Sequence, residues 1–439
     1  MAAKGAGERA ATYREVLACR EFRWLLGSQV LSLMGDQALR VALSVLVFKD
    51  TQSAWLTGLA YALTYLPWVV GGPVLAGLAD RMSRRTLMVL CDVGRAVLVG
   101  LVAVPGQPLL LLLVWVLMAT LLTPPFESAR SAILPDMLEG DRYVVGFSLW
   151  TAIRQVTQVL GFGGGGLLVA WLGTHTVLVL DAGTFALSAV GVAAGLRSPY
   201  LPVPSGGAVP AGSLVRHTMG GAMTVLRVKA LRSLLLIAWW APAVALIPEA
   251  IAAPYALSHG GGGTGMTGLY MAAIPAGVVA GTLLLGRLVR PANRTAYIFP
   301  LATLTTLPLV AFLGHPPPAA AVLLLVAVGM AMSYQLPLQA SFVLAVPGQL
   351  RGRAFAVAAS GLVVAQGAGA LAGGALSDWL GPAAAIGWAG LAGVTVMVPL
   401  VILGAQAVLG APLTASAFAT VEQAQAEPAT EAGHASAAI

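Results

Sequence analysis

The residues with the most chemical potential in this 439-residue chain are ionisable groups set inside long apolar runs. Asp36 and Arg40 lie four apart, Asp92 and Arg95 three apart, and Arg154, Asp181 and Glu249 stand singly. An ionised side chain at the centre of a membrane-spanning helix costs about 2.5–3.5 kcal/mol on insertion scales, so each is expected to face protein or water and to have a reason to persist. Spacings of three and four put both members on one helix face. Asp36–Arg40 and Asp92–Arg95 therefore read either as ion pairs that neutralise one another or as direct participants in ion coupling. Glu249 follows Pro248 and precedes Pro254, where missing backbone hydrogen bonds open a helix to water, which makes it a candidate to hold a proton or a cationic substrate. Asp181, near the outer end of its run, reads as a helix-terminal group. Tyr61, Tyr65 and Trp68, at i, i+4 and i+7, share a face that either lines a cavity for aromatic or lipophilic substrates or packs against a neighbour. His175, His259 and His315 read as loop histidines.

Other chemistries are excluded by missing patterns. There is no H-E-x-x-H, no G-x-S-x-G and no G-x-x-x-x-G-K-[ST]; the lysines are Lys4, Lys49 and Lys229. The chain is read as neither an enzyme nor a P-loop ATPase, with no metal site and no cofactor. An ion gradient is the natural energy source: roughly 150 mV is worth ~3.5 kcal/mol per charge. Cys19 and Cys91 are the only cysteines and imply no disulfide framework.

The elements that position these groups follow from composition. The chain is 58% hydrophobic and only 9% charged, with mean hydropathy +0.86, where soluble domains are about a quarter charged. Apolar stretches of the ~20 residues that cross a bilayer recur between short polar breaks. They predict an all-α membrane protein of about twelve spans, at 24–48, 55–79, 86–105, 108–128, 144–171, 174–196, 233–257, 264–286, 296–314, 318–346, 354–379 and 382–409. The net charge of +7 does not imply nucleic acid, because the basic residues cluster in alternate loops. Only Arg40, Lys49, Arg95 and Arg154 of the 24 Lys and Arg fall within spans or on the far side. The positive-inside rule then puts both termini in the cytoplasm of a multi-pass inner (plasma) membrane protein. Its partners are expected to be the lipid bilayer and a small-molecule substrate, and it is expected to be a monomer.

The chain also resembles itself. Thr57-Gly58-Leu59 recurs as Thr267-Gly268-Leu269; Gly77, Arg81, Arg85 and Thr86 recur as Gly286, Arg290, Arg294 and Thr295; and Pro135, Leu138 and Gly140 recur as Pro347, Leu350 and Gly352. Gly161-x-x-x-Gly165-Gly166-x-Leu168-x-x-Trp171-Leu172-Gly173 returns as Gly369-x-x-x-Gly373-Gly374-x-Leu376-x-x-Trp379-Leu380-Gly381. Four matches in one order at offsets of 208 to 212 describe two six-helix bundles in parallel repeat. The expected organisation is a cytoplasmic arm 1–23, bundles 24–196 and 233–409, a cytoplasmic linker 197–232 and a disordered tail 410–439.

Twelve spans in parallel halves with a basic 2–3 loop resemble the major facilitator superfamily over nearly the whole chain. Ala76-Gly77-Leu78-Ala79-Asp80-Arg81-Met82-Ser83-Arg84-Arg85 looks like that superfamily's loop motif, which implies a conformational latch built from Asp80, Arg81, Arg84 and Arg85. Further features resemble its proton-coupled drug-efflux branch, which includes macrolide and siderophore exporters. They are Gly35-Asp36, Asp92 with Arg95, Phe126-Glu127-Ser128-Ala129-Arg130 through Leu134-Pro135-Asp136, and Asp181 with Thr184-Phe185. Gly161, Gly165 and Gly166 resemble the end of the fifth-helix antiporter motif, or serve close helix packing. The resemblance implies efflux of small organic molecules by proton antiport; a proton-symport importer or a lipid flippase would share the architecture.

Overall fold

The computed structural model describes residues 11–68, 82–196, 229–258, 263–346 and 351–409. Asp80, Arg81, His259, most of the expected linker and the expected tail lie outside them. The described residues form helices and turns, with no strand among them. The helices are α1 (Tyr13–Ala18), α2 (Arg20–Thr51), α3 (Ala54–Leu63), α4 (Arg84–Val102), α5 (Leu109–Leu121), α6 (Thr123–Met137), α7 (Asp141–Leu172) and α8 (Thr174–Gly195). They continue with α9 (Lys229–Ala250), α10 (Ala252–Ser258), α11 (Gly263–Leu288), α12 (Ile298–Thr306), α13 (Pro318–Ala331), α14 (Gln335–Ala345), α15 (Arg351–Leu380) and α16 (Pro382–Leu409). Ten helical segments among the described residues are long and apolar enough to cross a membrane. Of the expected twelve, the second is described only to Trp68, and the third is α4, whose apolar run is interrupted by Asp92 and Arg95.

Local chemistry sets the helix ends. Thr12 caps α1 in a capping box, its hydroxyl accepting from the Glu15 amide while the Glu15 carboxylate accepts from the Thr12 amide. Ser83 caps α4 by accepting from the Thr86 amide at 3.2 Å. Two spans break four residues before a proline, whose ring clashes with the carbonyl at i−4. The second stops at Leu63, four before Pro67, and the seventh stops at Ala250, four before Pro254.

By internal contacts the chain divides into two units: Met1–Gly207 with Ala252–Pro275, and Ala208–Ile251 with Ala276–Ile439. In the first, α2 packs on α7 and α8, and α8 packs on α4. Its core joins Leu25, Leu87, Met88, Phe126, Ile133 and Val192. In the second, α9 packs on α15 and α16. There the Tyr334 hydroxyl, in a core with Leu234, Phe299 and Met397, donates to the Ile237 carbonyl at 3.3 Å.

The repeated glycines perform the same packing task in each unit. A Cβ at Gly165 would stand 2.8 Å from the Ala38 Cα, and one at Gly161 2.8 Å from the Gln37 Cβ, so α7 needs both glycines to lie against α2. A Cβ at Gly373 would stand 2.6 Å from Ile247 Cγ2, and one at Gly369 would strike the Ala243 carbonyl, so α15 lies against α9 in the same way. Gly166 meets Gly268 at the start of α11, where an added Cβ would come within 2.6 Å of the Gly268 Cα. Small residues that let helices approach are the membrane substitute for a hydrophobic driving force. After each block, Gly173 and Gly381 end their helices at φ of 80° and 86°, a backbone region that side-chain-bearing residues rarely enter.

Candidate functional site

The first unit gathers four ionisable side chains from three helices. Arg95 of α4 donates to Asp36 Oδ1 of α2 at 2.6 Å, and its other terminal nitrogen lies 3.8 Å from Asp92 Oδ1. Asp92 Oδ2 accepts from the Ser188 hydroxyl of α8 at 2.6 Å. The guanidinium also lies 4.0 Å from the centre of the Phe185 ring, a cation–π contact. Asp181 of α8 stands directly against Gly35, where any Cβ would collide with its Oδ1 and with the Thr184 hydroxyl. The Thr184 hydroxyl donates to Asp181 Oδ1 at 3.1 Å, while Asp181 Oδ2 is buried without a hydrogen-bond partner among the described residues. Asp92 and Asp181 are fully buried, and Asp36 keeps 23% of its side chain accessible.

Two expectations change here. Asp36 pairs across helices with Arg95, not along its own helix with Arg40, because α2 and α4 both pack on α8. Asp181 is not a helix-terminal group: α8 begins at Thr174, and the α2 contact at Gly35 buries Asp181 two turns further in. The 92–95 pairing is present, with Arg95 shared between carboxylates. An apolar cavity of about 180 Å³ between α2, α7 and α8 reaches Asp181 and Thr184, with Met34, Gly161 and Gly165 in its wall.

Arg40 takes a different partner. Its guanidinium lies 5.7 Å and 5.6 Å from the ring centres of Tyr61 and Tyr65, which are themselves 5.9 Å apart. Two candidate groups that the sequence placed separately are thus one contact. Tyr61 is buried and Tyr65 half-buried, while Trp68 stands exposed beyond the proline break.

A second polar group follows the Phe126–Arg130 segment of α6. Arg130 donates to Glu127 Oε2 at 2.5 Å, Gln29 of α2 donates to Glu127 Oε1 at 3.2 Å, and Arg130 lies 3.8 Å from the centre of the Trp150 ring. Of the expected latch, Arg84 donates to Asp136 Oδ2 at 2.7 Å and to the Ala132 carbonyl at 2.8 Å, tying the start of α4 to the end of α6. Arg85 donates to the Ala193 carbonyl near the end of α8. These contacts join the loop side of three helices.

Glu249 is buried in the last turn of α9, at the proline break. Of the loop histidines, His315 is exposed, whereas His175 is half-buried with Nδ1 3.0 Å from the Ala103 carbonyl.

Sequence reasoning passed over a polar face on α7. Thr151, Gln155 and Gln158 fall at i, i+4 and i+7, with Arg154 beside them; Thr151 and Arg154 are exposed. The signal was available as helical periodicity of polar residues inside an apolar run. It also passed over a cavity of about 260 Å³ in the second unit, bounded by Leu234, Gln335, Gln339, Phe342 and Phe355.

Long apolar helices with short connections, and buried charges paired from helix to helix within the first unit, define a polytopic membrane transporter. The Major Facilitator Superfamily profile matches residues 25–361, and the chain belongs to that family. It is 31% identical over 167 residues to the uncharacterised MFS-type transporter YfiS of Bacillus subtilis, across 38% of this chain and 40% of that one. It is 31% identical over 155 residues to the uncharacterised MFS-type transporter Rv0037c of Mycobacterium tuberculosis, across 34% and 35%. The chain thus matches these two relatives over less than half of their length. Among solved structures, the nucleoside transporter NupG aligns with a TM-score of 0.67 at 12% identity, over 88% of this chain and 98% of that one. The peptide transporter POT in complex with sulfate aligns at 0.67 and 15%, over 90% and 99%. These likenesses concern the fold.

Proposed function

We propose that this transporter is a proton-coupled exporter of small organic molecules, working by alternating access in the inner membrane with both termini in the cytoplasm. The observation that carries the reading is the convergence of Asp36, Asp92 and Asp181 around Arg95. Three carboxylates and one guanidinium sum to −2 when all are ionised, in a place where unbalanced charge is expensive. Two protons bring the group to neutrality and one halves its excess charge, so proton occupancy and the packing of α2, α4 and α8 are linked. Asp36, the most accessible of the three, is the entry point. Protonating it weakens the hold on Arg95, which frees the guanidinium to favour Asp92 and lets α2 shift against α4.

Substrate is received by the polar face of α7 and the aromatic pair under Arg40. Arg84 with Asp136 acts as the described part of the loop latch. The outward direction rests on the resemblance of Gly35-Asp36, Asp92 with Arg95 and the Phe126–Asp136 segment to proton-coupled efflux proteins. Everted membrane vesicles carrying the full chain, energised to an acidic interior, test the reading. Adding lipophilic compounds such as ethidium or a macrolide is expected to release protons as the compound enters, and Asp36→Asn is expected to remove that release. Proton and compound moving the same way would make the chain a symporter, and compound uptake without proton movement would sink the coupling assignment.

A further inference from the structure

The second unit holds an apolar groove that the transport cycle above does not use, and the segment beside its end, from Arg287 to Arg294, is basic. It has a volume of about 410 Å³ and runs between α11, α12 and α13. Gly281, Leu284, Leu285 and Leu288 line it at i, i+3, i+4 and i+7, one face of α11. Leu304 and Met330 close the other side. Leu284, Leu288 and Leu304 remain substantially exposed, so the groove opens sideways from membrane-spanning helices. At its end α11 gives way to the 3₁₀ turn Pro291–Tyr297, and both Val289 and Tyr297, which bracket that basic turn, line the groove.

The charge of this segment is unbalanced, as comparison with the first half of the repeat shows. In the first half the loop carries Asp80-Arg81-x-x-Arg84-Arg85 and later Asp136; at the matching offsets the second half has Val289-Arg290-x-x-Asn293-Arg294 and Gly348. Both carboxylates are gone while two arginines remain, and Arg287 is added. Arg294 is used within the protein, donating to the carbonyls of Gly286 at 2.9 Å and Val289 at 3.2 Å. Arg287 and Arg290 are exposed and have no carboxylate partner among the described residues. The first-half counterpart, by contrast, ends its Arg84 on Asp136.

We infer that this groove binds an anionic phospholipid, one acyl chain lying along Leu284, Leu288 and Leu304 and the headgroup phosphate meeting Arg287 and Arg290. A long apolar slot open to hydrocarbon fits an acyl chain, and two solvent-facing guanidiniums at the membrane boundary fit a phosphate. A second protein copy would be expected to bring carboxylates as well as an apolar ridge, and the matching loop in this chain is itself basic.

A benzophenone photocrosslinker placed at Ala327, an exposed position in the groove wall, reports the occupant in the full chain. Reconstituted in vesicles with equal phosphatidylglycerol and phosphatidylcholine, it is expected to yield phosphatidylglycerol adducts in several-fold excess. The double variant Arg287→Gln, Arg290→Gln is expected to bring the ratio to one, while Arg20→Gln, an exposed arginine elsewhere, leaves the excess intact. Adducts that mirror the bilayer composition would overturn the inference. So would an excess untouched by the double variant, an equal loss with Arg20→Gln, or crosslinks to a second copy of the chain.

Discussion

The two halves of this transporter share a scaffold and differ in charge. Gly161 and Gly165 let α7 lie on α2, and Gly369 and Gly373 let α15 lie on α9, at matching positions of one repeated sequence. The Trp-Leu-Gly that ends each block leaves a widely exposed tryptophan in both, Trp171 and Trp379, as expected of side chains at a membrane–water boundary. Yet the ion pairs described above all lie in the first half. In the second half Glu249 is the buried ionisable carboxylate among the described residues. The packing glycines recur because neither α7 on α2 nor α15 on α9 leaves room for a Cβ, whereas the charged residues differ between the halves. The duplicated fold supplies the architecture, and the first copy supplies the cluster of Asp36, Asp92, Arg95 and Asp181.

The sharpest way to break this comparison is Arg95→Met. It leaves Asp36, Asp92 and Asp181 without their cation and is expected to cost about 3–5 kcal/mol, as removing one member of a buried pair does. Arg290→Gln, at the second half's counterpart loop, is expected to stay within roughly 0.5 kcal/mol. Thermal unfolding of both variants in detergent checks this, and equal losses would contradict the asymmetry. Next, Gly165→Val and Gly373→Val should each destabilise by about 1–3 kcal/mol through overpacking, with Gly183→Ala, where an added Cβ meets nothing within 4 Å, close to neutral. Unequal glycine effects would show that the shared scaffold is not shared energetically. A smaller effect is expected from Arg40→Gln, which removes the contact with Tyr61 and Tyr65 at about 0.5–1 kcal/mol. The smallest is Arg84→Gln: Asp136 is half-exposed, so the pair is worth about 0–1 kcal/mol and should weaken in high salt.

The spans, their number, the repeat and the family resemblance were legible because a bilayer imposes length and polarity on every helix that crosses it. The breaks at Leu63 and Ala250 were legible in principle, each standing four residues before a proline. What the sequence hid is partnership between helices. Spacing rules see neighbours at i+3 and i+4, so they offered Arg40 to Asp36, whereas the actual partner, Arg95, is 59 residues away. Asp181 looked peripheral because its burial comes from α2, through Gly35, and not from its own helix. The polar face of α7 was visible as periodicity, but Gln155 and Gln158 bear no charge and drew no notice beside the aspartates.

Coupling through the first half is tested most directly by proton release from the purified protein in liposomes under an imposed pH gradient, on addition of a transported compound, for the wild-type chain, Asp36→Asn and Glu249→Gln. Asp36→Asn is expected to abolish coupled proton movement while Glu249→Gln retains most of it. Full coupling in Asp36→Asn, or its loss in Glu249→Gln alone, would contradict the assignment of coupling to the first half.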